Sequence, residues 1–383
     1  MQPASKRRVF YVYPPLFKYR APFNEKMREA LAEYGVEYNV VYSDPPALSK
    51  LKADTTELPW AIKAPKYYIG PSKYNLVFQN ALNVLRDADL IIMQQESRLL
   101  LNYLLHLRRA FGRVKIAYFG HGRNFQAPVG DGAGDRLKRF LATKVDWWFA
   151  YNDLSAEVVE SYGFPRERIT SFRNAIDMKL LLSEVADVSA EDIEARRNAL
   201  SLKTRNVGIF IGGIYAEKRM PFLIEASRRI RKAIPDFELL VIGGGSDFES
   251  ARHAARDCAF VRFLGPKYGR EKTELALLGS VFLMPGLVGL AVLDAFGYGT
   301  PMFTTDYPLH SPEIDYLKHG INGWIASPWQ DVNAYADAVV AFLTTPGLRK
   351  RLSHGAAISA AEYSIEDMAT RFTKGVLSAL ALP

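Results

Sequence analysis

The chain has 383 residues, room for two domains of ordinary size, and its 49% apolar content with a mean hydropathy of -0.08 is that of a globular protein. No run approaches the roughly 18 unbroken apolar residues of a membrane span, and the single Cys258 excludes an intramolecular disulfide and fits a reducing compartment, so the expected location is the cytoplasm. The net charge of +8 is uneven: residues 1–175 hold 26 Lys and Arg against 17 Asp and Glu, whereas the rest hold 23 against 24. A basic half of this kind suits nucleic acid, an anionic membrane surface or a phosphorylated substrate.

The first seventeen residues place basic side chains before a short apolar run, as a secretory leader would. Pro14 and Pro15 break that run and no small-residue cleavage site follows, so residues 8–13 read as a first strand. A helix is expected over 23–34 and a second strand over 37–42. Residues 44–70, rich in Pro, Lys and Tyr without a clean period, read as a long loop or a broken hairpin. Apolar runs at 90–93, 114–119 and 147–150 continue the strand series. Strands alternating with helices imply a mostly parallel sheet, and ligands of such sheets bind at the carboxyl ends of the strands. Lys18, Tyr19 and Arg20 follow the first strand directly and are candidates for holding an anionic group, with a solvated charged loop as the alternative. His121 lies between two glycines after another strand, a position that permits close ligand approach, with Arg123 beside it.

Residues 178–204 are charged and helical in pattern and read as a linker. The alternation then restarts with a strand at 207–211, the loop Gly212-Gly213-Ile214-Tyr215-Ala216-Glu217-Lys218, and a helix opened by Pro221. Arg228, Arg229, Arg231 and Lys232 fall mostly on the wet side of that helix. Strands follow at 237–242, which runs into Gly243-Gly244-Gly245, and at 260–265, which runs into Pro266-Lys267-Tyr268. Strands at 281–284 and 302–305 bracket a Gly289-containing loop and a helix from about Leu290 that ends at Gly299-Thr300-Pro301. Residues 331–343 and 362–382 read as closing helices. Asp87-Ala88-Asp89 has a metal-binding form but sits at a helix end, and no zinc spacing, P-loop, serine-hydrolase elbow or recognition helix is present, so nucleic acid is not the expected partner.

The segment from Ser280 to Ser327 resembles the donor-sugar signature of GT-B retaining glycosyltransferases of the family-4 (group 1) type. Gly289-Leu290, Leu293-Asp294-Ala295 and Gly299-Thr300-Pro301 match, with Asp294 in place of the second Glu of the pattern. Gly286 stands where the first Glu belongs. Lys218 matches the lysine of the family's diphosphate grip, whereas Gly213 stands for its arginine. Asn174-Ala175-Ile176-Asp177 resembles the tetrapeptide that closes the family's first domain.

The resemblance implies two Rossmann-like parallel-sheet domains facing across a cleft, an α/β GT-B architecture. Residues 1–177 would bind the acceptor and 178–361 a nucleotide-diphosphate sugar, with the last helix, about 362–383, crossing back onto the first domain. It implies sugar transfer with retention, no bound metal and no cofactor other than the donor. Lys218 would stabilise the diphosphate together with backbone N–H groups at Gly289 and Leu290. Asp294 would bind ribose, and His121 would face the sugar. Gly212, Gly213, Gly243, Gly265, Pro266 and Lys267 would line the donor. By position alone, after a strand end, His310 or Glu313 is the candidate to cover the sugar contacts of the glutamate absent at position 286. The expected acceptor is a glycan or polyprenyl-phosphate-linked precursor at an anionic membrane surface, met by Lys18, Tyr19, Arg20 and Arg123. A nucleotide-sugar epimerase or phosphorylase of the same fold, or a decayed nucleotide-sugar-binding protein, are the alternatives.

Overall fold

The computed structural model describes residues 6–13, 15–44, 55–70, 76–125 and 132–382, so Pro14, residues 45–54 of the long loop and Lys73 lie outside the described residues. The chain divides into two compact units, residues 1–124, 128–174 and 365–383, and residues 125–127 and 175–364.

The first unit is built on β1 (Arg7–Val12), β2 (Val36–Tyr42), β3 (Ile62–Lys63), β4 (Lys66–Ile69), β5 (Leu76–Gln79), β6 (Leu90–Gln94), β7 (Lys115–Gly120), β8 (Trp147–Ala150) and β9 (Ile169–Ser171). Seven of these form one sheet in the order β3-β2-β1-β6-β7-β8-β9, parallel throughout. Its central strands are apolar on both faces because helices cover both, so Leu90, Ile91, Ile92 and Met93 are all buried. The long loop is shorter than expected, since β3 extends the sheet and β4 pairs antiparallel with β5. Helices α1 (Ala21–Ala32), α2 (Leu100–Ala110), α3 (Ala133–Ala142) and α4 (Asp153–Ser161) connect the strands. Pro22 occupies the first turn of α1, and Phe23, Met27 and Leu31, four residues apart, form its buried stripe. The Asn152 side chain caps α4 by accepting from the Ser155 N–H at 3.0 Å. The Asp87 and Asp89 carboxylates are engaged by Arg8, Asp89 accepting its backbone N–H at 2.7 Å.

The second unit opens with α5 (Met178–Ala186) and α6 (Ala190–Ala199), the latter begun by a reciprocal capping box between Ser189 and Asp192. Its sheet comprises β10 (Val207–Ile211), β11 (Glu238–Ile242), β12 (Val261–Gly265), β13 (Val281–Leu283), β14 (Met302–Thr305) and β15 (Gly323–Ala326), in the order β12-β11-β10-β13-β14-β15 and again all parallel. The order reverses between β10 and β13, the place where open α/β sheets hold ligands. The other helices are α7 (Met220–Ala233), α8 (Phe248–Ala254), α9 (Gly269–Ala276), α10 (Ala291–Gly297), α11 (Val332–Thr344) and α12 (Pro346–Glu362). Residues 178–204, expected as a linker, carry α5 and α6 and belong to the second unit. Leu181 is buried so closely against α10 that a Cβ on Gly297 would lie 2.3 Å from it, and Arg196 pairs with Glu274 of α9 at 2.6 Å. The final helix, α13 (Ile365–Ala381), belongs to the first unit, where Phe372 stacks on Phe149 of β8 at 4.0 Å.

Candidate active site

At the carboxyl end of β10 the ladder continues into glycine loops. The Gly212 N–H donates to Ile242 O at 3.0 Å, Ile214 N–H to Gly244 O at 2.9 Å and Gly243 N–H to Gly265 O at 2.9 Å. Gly243 has φ 146°, and a Cβ there would lie 1.9 Å from Gly212 O, so only glycine permits the two loops to meet. This brings Gly212, Gly213, Gly243, Gly265 and Pro266 to one rim of the sheet. Lys267 at that rim is held by Glu271 at 2.7 Å.

A 3-10 turn, Ala216–Lys218, then turns the lysine inward. Lys218 is 5% exposed; its Nζ donates to Leu287 O at 2.5 Å and faces Met284 Sδ at 3.4 Å. Burial lowers its pKa to about 8, with Glu217 opposing the shift. The loop after β13 is pressed onto this turn. Leu287 N–H donates to Glu217 O at 2.8 Å, and a Cβ on Gly286 would stand 2.1 Å from that same oxygen. No side chain, and so no carboxylate, fits at position 286 with this backbone.

His310 locks the loop from the other side. The Val288 N–H donates to its Nδ1 at 3.0 Å, which leaves the proton on Nε2 to donate to Thr305 O at 2.8 Å. Burial, helped by the charges of Lys218 and Arg219, lowers its pKa to about 4, so the ring is neutral. Both nitrogens are committed to backbone groups, which corrects the expectation that His310 contacts the sugar: it positions the loop. Glu313 is buried in the 3-10 turn Pro312–Tyr316.

Gly289 and Leu290 precede α10, and their N–H groups donate to no acceptor among the described residues. Asp294 lies in the first turn of α10 and accepts from Lys272 at 3.2 Å, a partner that sequence spacing did not point to. Burial works against the Lys272 charge, but Asp294 and Tyr298 together raise its pKa above the ordinary lysine value. Arg219, equally unmarked in the sequence, donates through Nη1 to Pro285 O at 3.2 Å and Thr305 Oγ1 at 3.3 Å.

In the first unit, Lys18 and Tyr19 are exposed in a 3-10 turn after β1, and Arg123 is exposed after β7. His121 is half-buried, its ring 4.1 Å from that of Tyr151. Arg20 departs from its expected role as a surface ligand. It is 1% exposed, its guanidinium lies 5.1 Å from the Tyr19 ring and 5.3 Å from the Tyr151 ring, and its Nε and Nη2 are enclosed without an acceptor among the described residues. It can act on an anion there only through its field. Among the described residues no group of three or more His, Cys, Asp and Glu is arranged to hold a metal.

Residues 192–358, within the second unit, match the model of the family described as glycosyl transferases group 1. A phosphatidyl-myo-inositol mannosyltransferase of Mycobacterium leprae is 28% identical over 145 residues, 36% of this chain and 38% of that protein. An alpha-D-kanosaminyltransferase of Streptomyces kanamyceticus is 26% identical over 188 residues, 45% and 47%. The chain thus spans less than half the length of these curated relatives. Among solved structures, Anabaena HepE in complex with UDP superposes over 97% of this chain and 100% of its own with a TM-score of 0.70 at 15% identity. A Rickettsia africae glycosyltransferase does so over 99% and 100% with a TM-score of 0.72 at 12% identity. The fold is GT-B, two Rossmann-like units in one chain.

Proposed function

We propose that this protein is a retaining glycosyltransferase that moves a sugar from a nucleotide-diphosphate sugar to an acceptor, a lipid-linked or polysaccharide precursor. The observation that carries the reading is the buried Lys218 ammonium at the carboxyl end of β10, fixed on Leu287 O with no carboxylate partner among the described residues. A departing nucleoside diphosphate gains negative charge, and a preorganised cation in a desolvated loop stabilises that charge far better than water does. The open N–H groups of Gly289 and Leu290 would add to it. One Asp294 oxygen is held by Lys272, and the other suits a ribose hydroxyl. HepE and the mannosyltransferase lend support from relatedness, the first by its complex with UDP. Lys18, Tyr19, His121 and Arg123 are assigned to the acceptor and sugar from the first unit. The donor phosphate can itself take the acceptor proton, so no enzyme base is required.

The acceptor assignment rests on charge. The first unit keeps its positive excess with α13 included, because Glu366 and Asp367 balance Arg371 and Lys374. Exposed apolar side chains sit among those cations: Tyr67, Tyr68 and Ile69 on β4, Leu107 and Phe111 at the end of α2, Leu137 and Phe140 on α3. That combination suits reversible attachment to an anionic bilayer. No helix among the described residues is long and apolar enough to cross a membrane. The test is incubation with UDP-, GDP- and ADP-sugars, reading nucleotide release and, by NMR, the anomeric configuration of the product. Absence of both binding and turnover with every donor would refute the proposal, and an inverted product would refute retention.

A further inference from the structure

Two consecutive cations grip one loop. Lys218 Nζ donates to Leu287 O at 2.5 Å, and Arg219 Nη1 donates to Pro285 O at 3.2 Å, so neighbouring residues hold the carbonyls on either side of Gly286. Arg219 reaches its carbonyl from a left-handed backbone, φ 57°, at the start of α7. Its guanidinium lies 4.2 Å from the Phe222 ring, 4.7 Å from Trp329 and 5.4 Å from Tyr307. Three rings set its plane and none neutralises it.

No carboxylate among the described residues pairs with Arg219. Asp306, next to its Thr305 contact, accepts instead from Ser327 Oγ at 2.6 Å. Of the five N–H donors of a guanidinium, only those on Nη1 have acceptors among the described residues, Pro285 O and Thr305 Oγ1. Nε and Nη2 keep their donors open, at the carboxyl ends of β13 and β14, beside the buried ammonium of Lys218. A half-buried, unpaired cation is costly, and an arriving anion removes that cost.

We infer that Arg219 is an anion-binding residue of the donor site, holding an anionic oxygen of the nucleotide-diphosphate sugar beside the one held by Lys218, and so replacing the guanidinium absent at Gly213. The inference rests on the donor-site reading proposed above. The oxygen belongs either to the diphosphate or to a carboxylate on the sugar, and the two sources are separable.

Titration calorimetry on the parent chain, Arg219→Lys and Arg219→Met with uridine, UDP, UDP-glucose and UDP-glucuronate is the test, repeated with GDP and guanosine if UDP does not bind. Melting temperatures provide the folding control, and Arg219→Lys keeps the test alive if the methionine variant fails to fold. If the diphosphate is the partner, Arg219→Met weakens UDP about 10- to 100-fold, Arg219→Lys weakens it less, and uridine changes by less than about 2-fold. If the sugar carboxylate is the partner, the loss falls on UDP-glucuronate alone, which also supports an anion site. Equal losses for uridine and UDP, or no loss at all, would make Arg219 a brace for the loop and overturn the inference while leaving the donor reading intact. A parent chain that binds no nucleoside diphosphate would overturn both.

Discussion

Replacing Lys218 by Met should stabilise the folded protein at neutral pH while abolishing its grip on a diphosphate. Burial lowers the folded-state pKa of Lys218 to about 8, against about 10.4 for an unfolded lysine. Between these values the unfolded chain binds the proton and the folded chain does not, so stability rises with pH across that window; below about pH 8 the folded protein carries the full cost of a buried ammonium. A gap of about 2.4 units corresponds to about 3 kcal/mol at pH 7. Lys218 is 5% exposed, so solvent screens little of this cost. Urea denaturation of the parent and Lys218→Met at pH 7 and pH 10 isolates the effect, because other titrating groups cancel in the difference. The variant should lead by up to about 3 kcal/mol at pH 7, and the lead should shrink towards pH 10. UDP affinity of the parent should fall about tenfold per unit above pH 8 as the ammonium is lost, and should be weak and pH-independent in the variant. A variant less stable than the parent at pH 7, or a difference that does not change with pH, would refute the picture of a desolvated, unpaired lysine.

Asp294→Asn should weaken nucleoside diphosphate binding and, by stranding Lys272, lower stability by about 1–3 kcal/mol; calorimetry showing unchanged affinity with a lower melting temperature would reduce Asp294 to a partner of Lys272. Gly286→Ala should cost at least about 2 kcal/mol in denaturant unfolding, because its Cβ would meet Glu217 O at 2.1 Å, whereas parental stability would mean the loop shifts freely. The chain should sediment with anionic but not neutral liposomes and be released near 1 M salt, where the Debye length is about 3 Å. Phe140→Asp combined with Leu137→Asp should weaken that attachment, and equal binding to both vesicle types would remove the membrane assignment.

The parallel strands were legible because a strand covered on both faces is a bare apolar run. Residues 147–150 and 302–305 coincide with β8 and β14, and 281–284 overshoots β13 by one residue. What escaped were elements whose stability is not written as apolar periodicity. β3 is two residues long, and β4 leaves Tyr67, Tyr68 and Ile69 exposed, so neither alternates. Residues 178–204 read as a linker because the stretch is rich in charged residues, yet Met178 and Leu181 pack on Gly297 and ion pairs join Arg196 to Glu274 and Arg270 to Asp192. The resemblance to the family's diphosphate grip singled out Lys218. It could not say that both His310 nitrogens face backbone, or that Arg219 lies on rings from residues 222, 307 and 329, since Val288, Tyr307 and Trp329 are brought in from the ends of other strands.

The two departures from the family pattern, Gly213 and Gly286, read in the structure as one change. A Cβ on Gly213 would lie 2.9 Å from the Tyr215 ring, so glycine leaves room for that ring, which stands 5.5 Å from Lys218 Nζ. Glycine at 286 lets the loop after β13 close on Glu217 and bring the Leu287 carbonyl to the same ammonium. An arginine and a glutamate are thereby absent together, which leaves the charge of the pair unaltered, and Arg219 then stands as a cation with no acid among the described residues to balance it. A site that had merely decayed would have no reason to keep an unpaired guanidinium braced by three rings beside a desolvated lysine. Two adjacent, immobilised and uncompensated charges cost folding stability, and an anionic ligand is what offsets that cost.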